Sequence, residues 1–272
     1  MTRIAILQMT SGIDPAANAA ALVRAVEDAA GGGAQMLFTP EMSGMLDRDR
    51  DRAVGKIVAE ADNLVLTAVR EAAGRVGMWI ALGSLAMRRD DGRWANRSFL
   101  IDGAGGIVAR YDKIHMFDVA LATGESWRES AAYAPGETVV TAETPLGRLG
   151  LTVCYDLRFP ALFEELGRRC CDVIAIPAAF TVPTGQAHWH VLMRARAIEA
   201  SAYVIAAAQV GEHEDGRRTY GHSLVADPWG EVLVDLGGEA PGVGFAEIDS
   251  ARIAEVRAQL PSLANRRAIP RS

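Results

Sequence analysis

The sequence predicts an α/β fold with its sheets inside and its helices outside. Short apolar, β-favouring runs such as Ile4-Ala5-Ile6-Leu7, Met36-Leu37-Phe38 and Val173-Ile174-Ala175-Ile176 alternate with longer helix-forming stretches. Hairpin signals such as Asp102-Gly103-Ala104-Gly105-Gly106 are interleaved among them. The 272 residues, half of them apolar, contain no Pro/Gly/Ser linker and no internal repeat, so one domain over 1–272 is expected.

In chain order, a strand at about 3–9 leads to an alanine-rich helix. Asp14-Pro15 marks its start as N-cap and first-turn proline, and Gly31-Gly32-Gly33 marks its stop. A strand over 35–39 follows, then a loop holding Met42-Ser43-Gly44-Met45, then a helix from about Arg52 to Arg75. Strands are predicted at 78–85, 98–101 and 107–112, the last two joined by the Asp102 hairpin. Residues 114–137 carry no clean periodicity, and loops of that length are usually functional or disordered. Strand 148–153 runs into a turn and a helix beginning at Ala161-Leu162-Phe163, and Val173–Pro177 reads as a buried strand. A helix over 186–201 is expected to bury Val191, Leu192, Ala195 and Ile198. Strands at about 203–208, 220–226 and 231–234 complete the prediction, the last two joined by Asp227-Pro228-Trp229-Gly230.

A formal net charge of −6 argues against a nucleic-acid surface, which needs a basic patch. No run of about 18 apolar residues is present to span a membrane, and the first apolar segment is too short for a signal peptide. Cys154, Cys170 and Cys171 make no disulfide framework, so a cytoplasmic protein with reduced thiols is expected, the adjacent pair serving as filler.

Three chemistry-bearing residues stand at strand exits. Glu41 follows Leu37-Phe38-Thr39-Pro40, Lys113 follows Tyr111-Asp112, and Cys154 ends Gly150-Leu151-Thr152-Val153. The carboxyl ends of strands in an α/β sheet gather along one edge, where ligands bind. Cys154 also opens a strand-to-helix turn, where free N–H groups are expected to lower its thiol pKa. Amide hydrolysis needs a nucleophile, a base and donors for the oxyanion. Cys154 suits the first role. Glu41 suits the second, provided its surroundings raise its pKa, and Lys113 with the Tyr155 N–H suits the third. A buried core cysteine and a structural Glu–Lys pair are the plain alternatives. His188 and His190, two apart on a helix, point to different sides and cannot easily share an ion, so no metal and no cofactor is expected. A Cys–His arrangement with His115 or His222 as base explains less of the chain. Asp156 and Arg158 are close enough to pair locally; alternatively, Arg158 faces the pocket and receives a substrate carboxylate.

The order Glu41, Lys113, Cys154, in the settings Pro40-Glu41, Tyr111-Asp112-Lys113 and Val153-Cys154-Tyr155-Asp156-Leu157-Arg158-Phe159-Pro160, resembles the nitrilase (carbon–nitrogen hydrolase) superfamily from Ile4 to about Arg267. The resemblance implies a four-layer α-β-β-α sandwich, a homodimer or larger assembly, and a small-molecule amide substrate cleaved through a cysteine thioester. It also places a second carboxylate beside the lysine: Glu129, with a solvated loop charge as the alternative because Glu125 and Glu137 are nearby. Pro177-Ala178-Ala179-Phe180-Thr181 and Thr184-Gly185-Gln186-Ala187-His188-Trp189 are similar to the branch acting on 2-oxo acid amides. Tyr220-Gly221-His222-Ser223-Leu224 looks most like the deaminated-glutathione amidases. Omega-amidases, N-carbamoyl amino acid hydrolases, nitrilases and a catalytically silent scaffold are the alternatives. Tyr155, Arg158, Thr181 and His188 are the expected substrate-binding residues, and the 114–137 segment the expected pocket rim.

Overall fold

The computed structural model describes residues 1–120, 122, 124 and 126–270; Glu125 lies outside the described residues. β1 (Thr2–Gln8) is followed by α1 (Pro15–Gly31), which Asp14 caps by accepting the Ala16 N–H at 3.1 Å. After β2 (Met36–Phe38), the single helix expected near 52–75 is two, α2 (Arg50–Ala53) and α3 (Leu64–Val76). Asn63 is the reason. Its Oδ1 accepts the Leu66 N–H at 2.9 Å and starts a new helix, while Ile57 packs with Met45, Ala53 and Ala86. β3 (Trp79–Arg88), β4 (Trp94–Ile101) and β5 (Ile107–Asp112) form a meander. Asp102 closes its second turn by accepting the Ala104 and Gly106 N–H groups.

The 114–137 segment holds a small pair, β6 (Asp118–Ala120) and β7 (Ser126–Arg128). Next come β8 (Thr141–Thr144), β9 (Gly147–Leu151), α4 (Pro160–Arg168), β10 (Val173–Ala175), α5 (Val182–Ala200) and β11 (Tyr203–Ala206). The strand expected over 220–226 is divided. β12 (Val210–Glu212) and β13 (Arg218–Tyr220) form a hairpin, whereas β14 (Leu224–Ala226) pairs with β15 (Val232–Asp235). Gly221 and His222, at φ 71° and 55°, turn the chain between them. β16 (Gly242–Ile248) and α6 (Ser250–Gln259) were not anticipated from sequence.

Two six-stranded sheets result, ordered β16-β1-β2-β3-β4-β5 and β15-β14-β11-β10-β9-β8. Alternation along the strands decides which face each residue serves. Ile4, Ile6, Met36 and Phe38 join Leu149, Leu151, Val173 and Ala175 in one core between the sheets. Ala5, Leu7 and Leu37 point the other way, onto Leu22 and Val26 of α1 and Val65 and Val69 of α3. α4 and α5 cover the far face of the second sheet, which completes the α-β-β-α order. Among the described residues, no helix is long and apolar enough to cross a membrane.

The face of α5 expected to be buried is not the one that is. Trp189, Met193, Ala197 and Ala200 are buried, whereas Val191 and Ile198 are 62% and 42% exposed. The helix carries two apolar stripes. Trp189 settles the choice, because its Nε1 donates to the His222 carbonyl at 2.8 Å and its ring packs on Phe180.

At Gly83 an added Cβ would lie 1.9 Å from the Thr39 carbonyl oxygen and 2.4 Å from that of Pro40. β3 thus passes the Glu41 turn at backbone contact. Gly83→Ala is expected to cost about 3 kcal/mol, read from the denaturant midpoint, whereas a loss below about 1 kcal/mol would mean that this turn is slack.

Candidate active site

Glu41 leaves β2 on a turn held from several sides. Met42, at φ 55°, donates its N–H to Ser84 Oγ at 2.9 Å, and Gln209 Nε2 donates to the Glu41 carbonyl at 2.9 Å. The carboxylate accepts from the Ala179 N–H at 2.9 Å, from Asn96 Nδ2 at 2.9 Å and from Lys113 Nζ at 3.0 Å. Lys113 leaves β5, where its own N–H donates to the Asn96 carbonyl at 2.9 Å. Its ammonium also meets Glu129 at 2.9 and 3.2 Å. Glu129 in turn accepts from the Phe117 N–H and from Asn96 Nδ2. Asn96 therefore ties the two carboxylates together, and its orientation follows from them. It was not foreseen from sequence.

Cys154 stands at φ 46° on the turn between β9 and a short 3₁₀ helix over Cys154–Arg158. Its N–H donates to the Pro177 carbonyl at 2.9 Å. Asp156 locks that turn: one oxygen accepts from the Val153 N–H at 2.9 Å and the Tyr111 hydroxyl at 2.6 Å. Its other oxygen accepts from the His115 N–H and lies 2.7 Å from His115 Nδ1. Asp156 thus serves the turn and does not pair with Arg158. The leading amides of such a helix have no partner within it, which leaves the Tyr155 N–H suited to an oxyanion.

Glu41 and Lys113 come from one sheet and Cys154 from the other, so the site lies between facing sheets and not along one sheet edge. Burial pushes the Glu41 carboxyl up, but the Lys113 charge and hydrogen bonds from Cys154, Lys113 and Asn96 hold it below its ordinary value. The raised pKa that the sequence reading set as a condition for Glu41 as base is therefore not met at rest. Burial opposes the Lys113 charge, yet Glu129 and Glu41 hold its pKa well above the ordinary value. Burial and then the Glu41 charge push the Cys154 thiol well up, against Lys113 and the Ala179 N–H, where the turn alone had suggested a lowered thiol. Both directions favour a neutral thiol beside a carboxylate anion. That arrangement can transfer a proton as sulfur attacks.

A cleft of about 1000 Å³, including open space at its mouth, gives onto Glu41, Lys113, Glu129 and Cys154. Tyr155 and Thr181, expected at the substrate, line it, as do Phe117, Trp127 and Arg128 of the 114–137 segment. Arg158 and His188 are not among its described lining residues. Arg158 Nη1 meets His188 Nδ1 at 3.1 Å, and the guanidinium lies over Phe180, behind the cleft wall. The 3₁₀ turn carries Arg158 round to α5. Arg217, unremarked in the sequence as a binding group, lines the cleft instead.

His115 is tied to Asp156 and stacked on Phe159 at 3.6 Å, so neither it nor His222 borders the thiol. His190 and His222 instead flank Asp235 at 2.8 and 3.0 Å. Their ligand atoms lie within 4.8 Å of one another, close enough for a metal, but none of the three lines the cleft. His188 takes no part. All three cysteines are free, and burial pushes the Cys171 thiol up to about 12.

A family model described as carbon-nitrogen hydrolase matches residues 3–258. A deaminated glutathione amidase from Yersinia enterocolitica is 40% identical over 270 residues, 97% of this chain and 92% of that protein. The crystal structure of the C. elegans NitFhit protein superposes with a TM-score of 0.91 at 36% identity, covering 98% of this chain; the chain spans 65% of that protein. A variant of the amidase from Nesterenkonia sp. AN1 superposes with a TM-score of 0.83 at 26% identity, covering 98% of this chain and 94% of that one. That protein carries the acetamide moiety of fluoroacetamide covalently on its active-site cysteine.

Proposed function

Because this chain belongs to the carbon–nitrogen hydrolase family and is a hydrolase of amides, we propose that it cleaves deaminated glutathione to 2-oxoglutarate and cysteinylglycine, with Glu41, Lys113, Glu129 and Cys154 as its catalytic residues. The observation that carries the chemistry is the convergence of thiol, carboxylate and ammonium in one cleft. Cys154 Sγ attacks the amide carbonyl as its proton passes to Glu41. The developing oxyanion is met by Lys113 Nζ and the Tyr155 N–H. When the C–N bond breaks, Glu41 gives its proton to the leaving amine, and a 2-oxoglutaryl thioester remains on Cys154. Glu41 then takes a proton from water as it attacks the thioester, and the released thiolate is reprotonated. Glu129 holds Lys113 opposite Glu41, so the ammonium stays charged and in place.

The substrate follows from the relatives that carry that activity in their names, and from an open cleft that reaches Cys154. Comparing kcat/KM on deaminated glutathione, 2-oxoglutaramate and a carbamoyl amino acid tests it. The first should be preferred; a clear preference for the simple amide would make this an omega-amidase using the same acyl-enzyme.

A homodimer or larger assembly belongs to the same proposal. Val191 and Ile198 of α5 lie exposed, and the 227–230 turn packs on Ile198 beside Trp229, itself 50% exposed. Exposed apolar side chains gathered on one helix face usually mark an association surface. Light scattering at micromolar concentration should give at least twice the chain mass; a monomer would remove this part. The free thiols are the basis for placing the protein in the cytoplasm.

A further inference from the structure

We infer that Arg217 is the anchor of a carboxylate subsite in this cleft, an assignment that rests on the 2-oxo acid amide reading above. Arg217 immediately precedes β13 on the hairpin turn, after Asp215 and Gly216, the latter at φ 81°. Asp215 shapes that turn, accepting the Arg217 N–H at 2.9 Å and the Arg48 N–H at 2.8 Å. The guanidinium then lies over the Trp127 ring, 4.2 Å from its centroid, and borders the cleft. Only 16% of the side chain is exposed, and its Nε is sealed from solvent with no hydrogen-bond partner. The nearest carboxylate contact, Nη2 to Asp215, is long at 3.4 Å.

A guanidinium offers five N–H donors in a planar fork that fits a carboxylate in bidentate fashion. Leaving a buried donor of a cation unpaired is costly, and native proteins rarely do so without a functional reason. Here the Trp127 ring packs on the guanidinium, and Arg217 is among the residues that line the reaction cleft. Burial pulls the Arg217 pKa down, while Asp215, Glu41 and Tyr133 support its charge. An incoming carboxylate supplies the close charge partner that Asp215, at 3.4 Å, does not. The proposed substrate offers two: the carboxylate of the 2-oxo acid, four carbon–carbon bonds from the carbonyl attacked, and the terminal carboxylate of the leaving dipeptide.

The test measures kcat/KM for the wild type, Arg217→Gln and Arg217→Lys on four amides. These are deaminated glutathione, its glycine-carboxamide derivative, 2-oxoglutaramate, and valeramide, which has no carboxylate. Arg217→Gln should lose on the order of 100-fold on substrates that carry the carboxylate it holds and no more than a few-fold on valeramide, with Arg217→Lys between. If Arg217 holds the acyl carboxylate, the loss persists on 2-oxoglutaramate and on the capped derivative. If it holds the dipeptide terminus, the loss is confined to uncapped deaminated glutathione. An equal loss on all four, or none, overturns the assignment. Failure of the wild type on every 2-oxo acid amide, with turnover of other amides, refutes the substrate reading instead. Calorimetry of 2-oxoglutarate and of cysteinylglycine on Cys154→Ala tests the subsite without turnover. Cys154→Ala/Arg217→Gln, at unchanged melting temperature, should lose binding of one of them, and retention of both at full affinity again overturns the assignment.

Discussion

Cys154→Ala is expected to reduce turnover by about 10⁴-fold or more, the scale of removing a covalent nucleophile. The fold should survive, since Asp156 and the Pro177 carbonyl hold the turn through groups that the substitution leaves in place. The thiol lies in the core but serves as a proton donor to Glu41, so its loss removes chemistry more than packing. Melting behaviour should change by no more than about 1 kcal/mol. Residual activity near that of the wild type would place the nucleophile elsewhere and end the covalent scheme.

Lys113→Met should cost at least about 100-fold in kcat, because an oxyanion donor is lost from a buried site. It should also destabilise the protein by about 3–5 kcal/mol, the scale of breaking a buried ion pair by removing one partner. Glu41 and Glu129 would then face each other with only Asn96 between them. Two like charges cannot both stay ionised there cheaply, so Glu41, freed of the Lys113 charge, should rise above the ordinary 4.5. A carboxyl group whose folded pKa is raised contributes most below its unfolded pKa and less as pH rises. The stability deficit should therefore be greatest at neutral pH and shrink toward pH 4.5. A deficit independent of pH would show that Lys113 contributes shape and not charge.

The strand exits at Glu41, Lys113 and Cys154 were legible because each ends a short apolar run, and a strand's last residue must face whatever lies beyond the sheet. Asn96 was not. It sits mid-strand between Ala95 and Arg97, and its role exists only because β4 lies between the strands that supply Glu41 and Lys113. Arg217 sits in the polar turn sequence Glu214-Asp215-Gly216-Arg217-Arg218, which resembles any solvated hairpin until Trp127 is brought against it. Arg158 misled for the opposite reason, since closeness in sequence to Cys154 is undone by the intervening 3₁₀ turn. The pKa directions also depended on burial and on the distance from Lys113, neither of which local sequence encodes. α5 presented two apolar stripes, and only the sheet beneath selects one.

Rapid-quench mass spectrometry of the intact protein tests the central claim, that the amide is opened through an acyl-enzyme on Cys154. Deaminated glutathione and 2-oxoglutaramate should each yield the same adduct, a mass increase equal to 2-oxoglutaric acid less one water, mapped by peptide digestion to Cys154. No adduct under single-turnover conditions in which amine release is fast, or an adduct on any other residue, would contradict it.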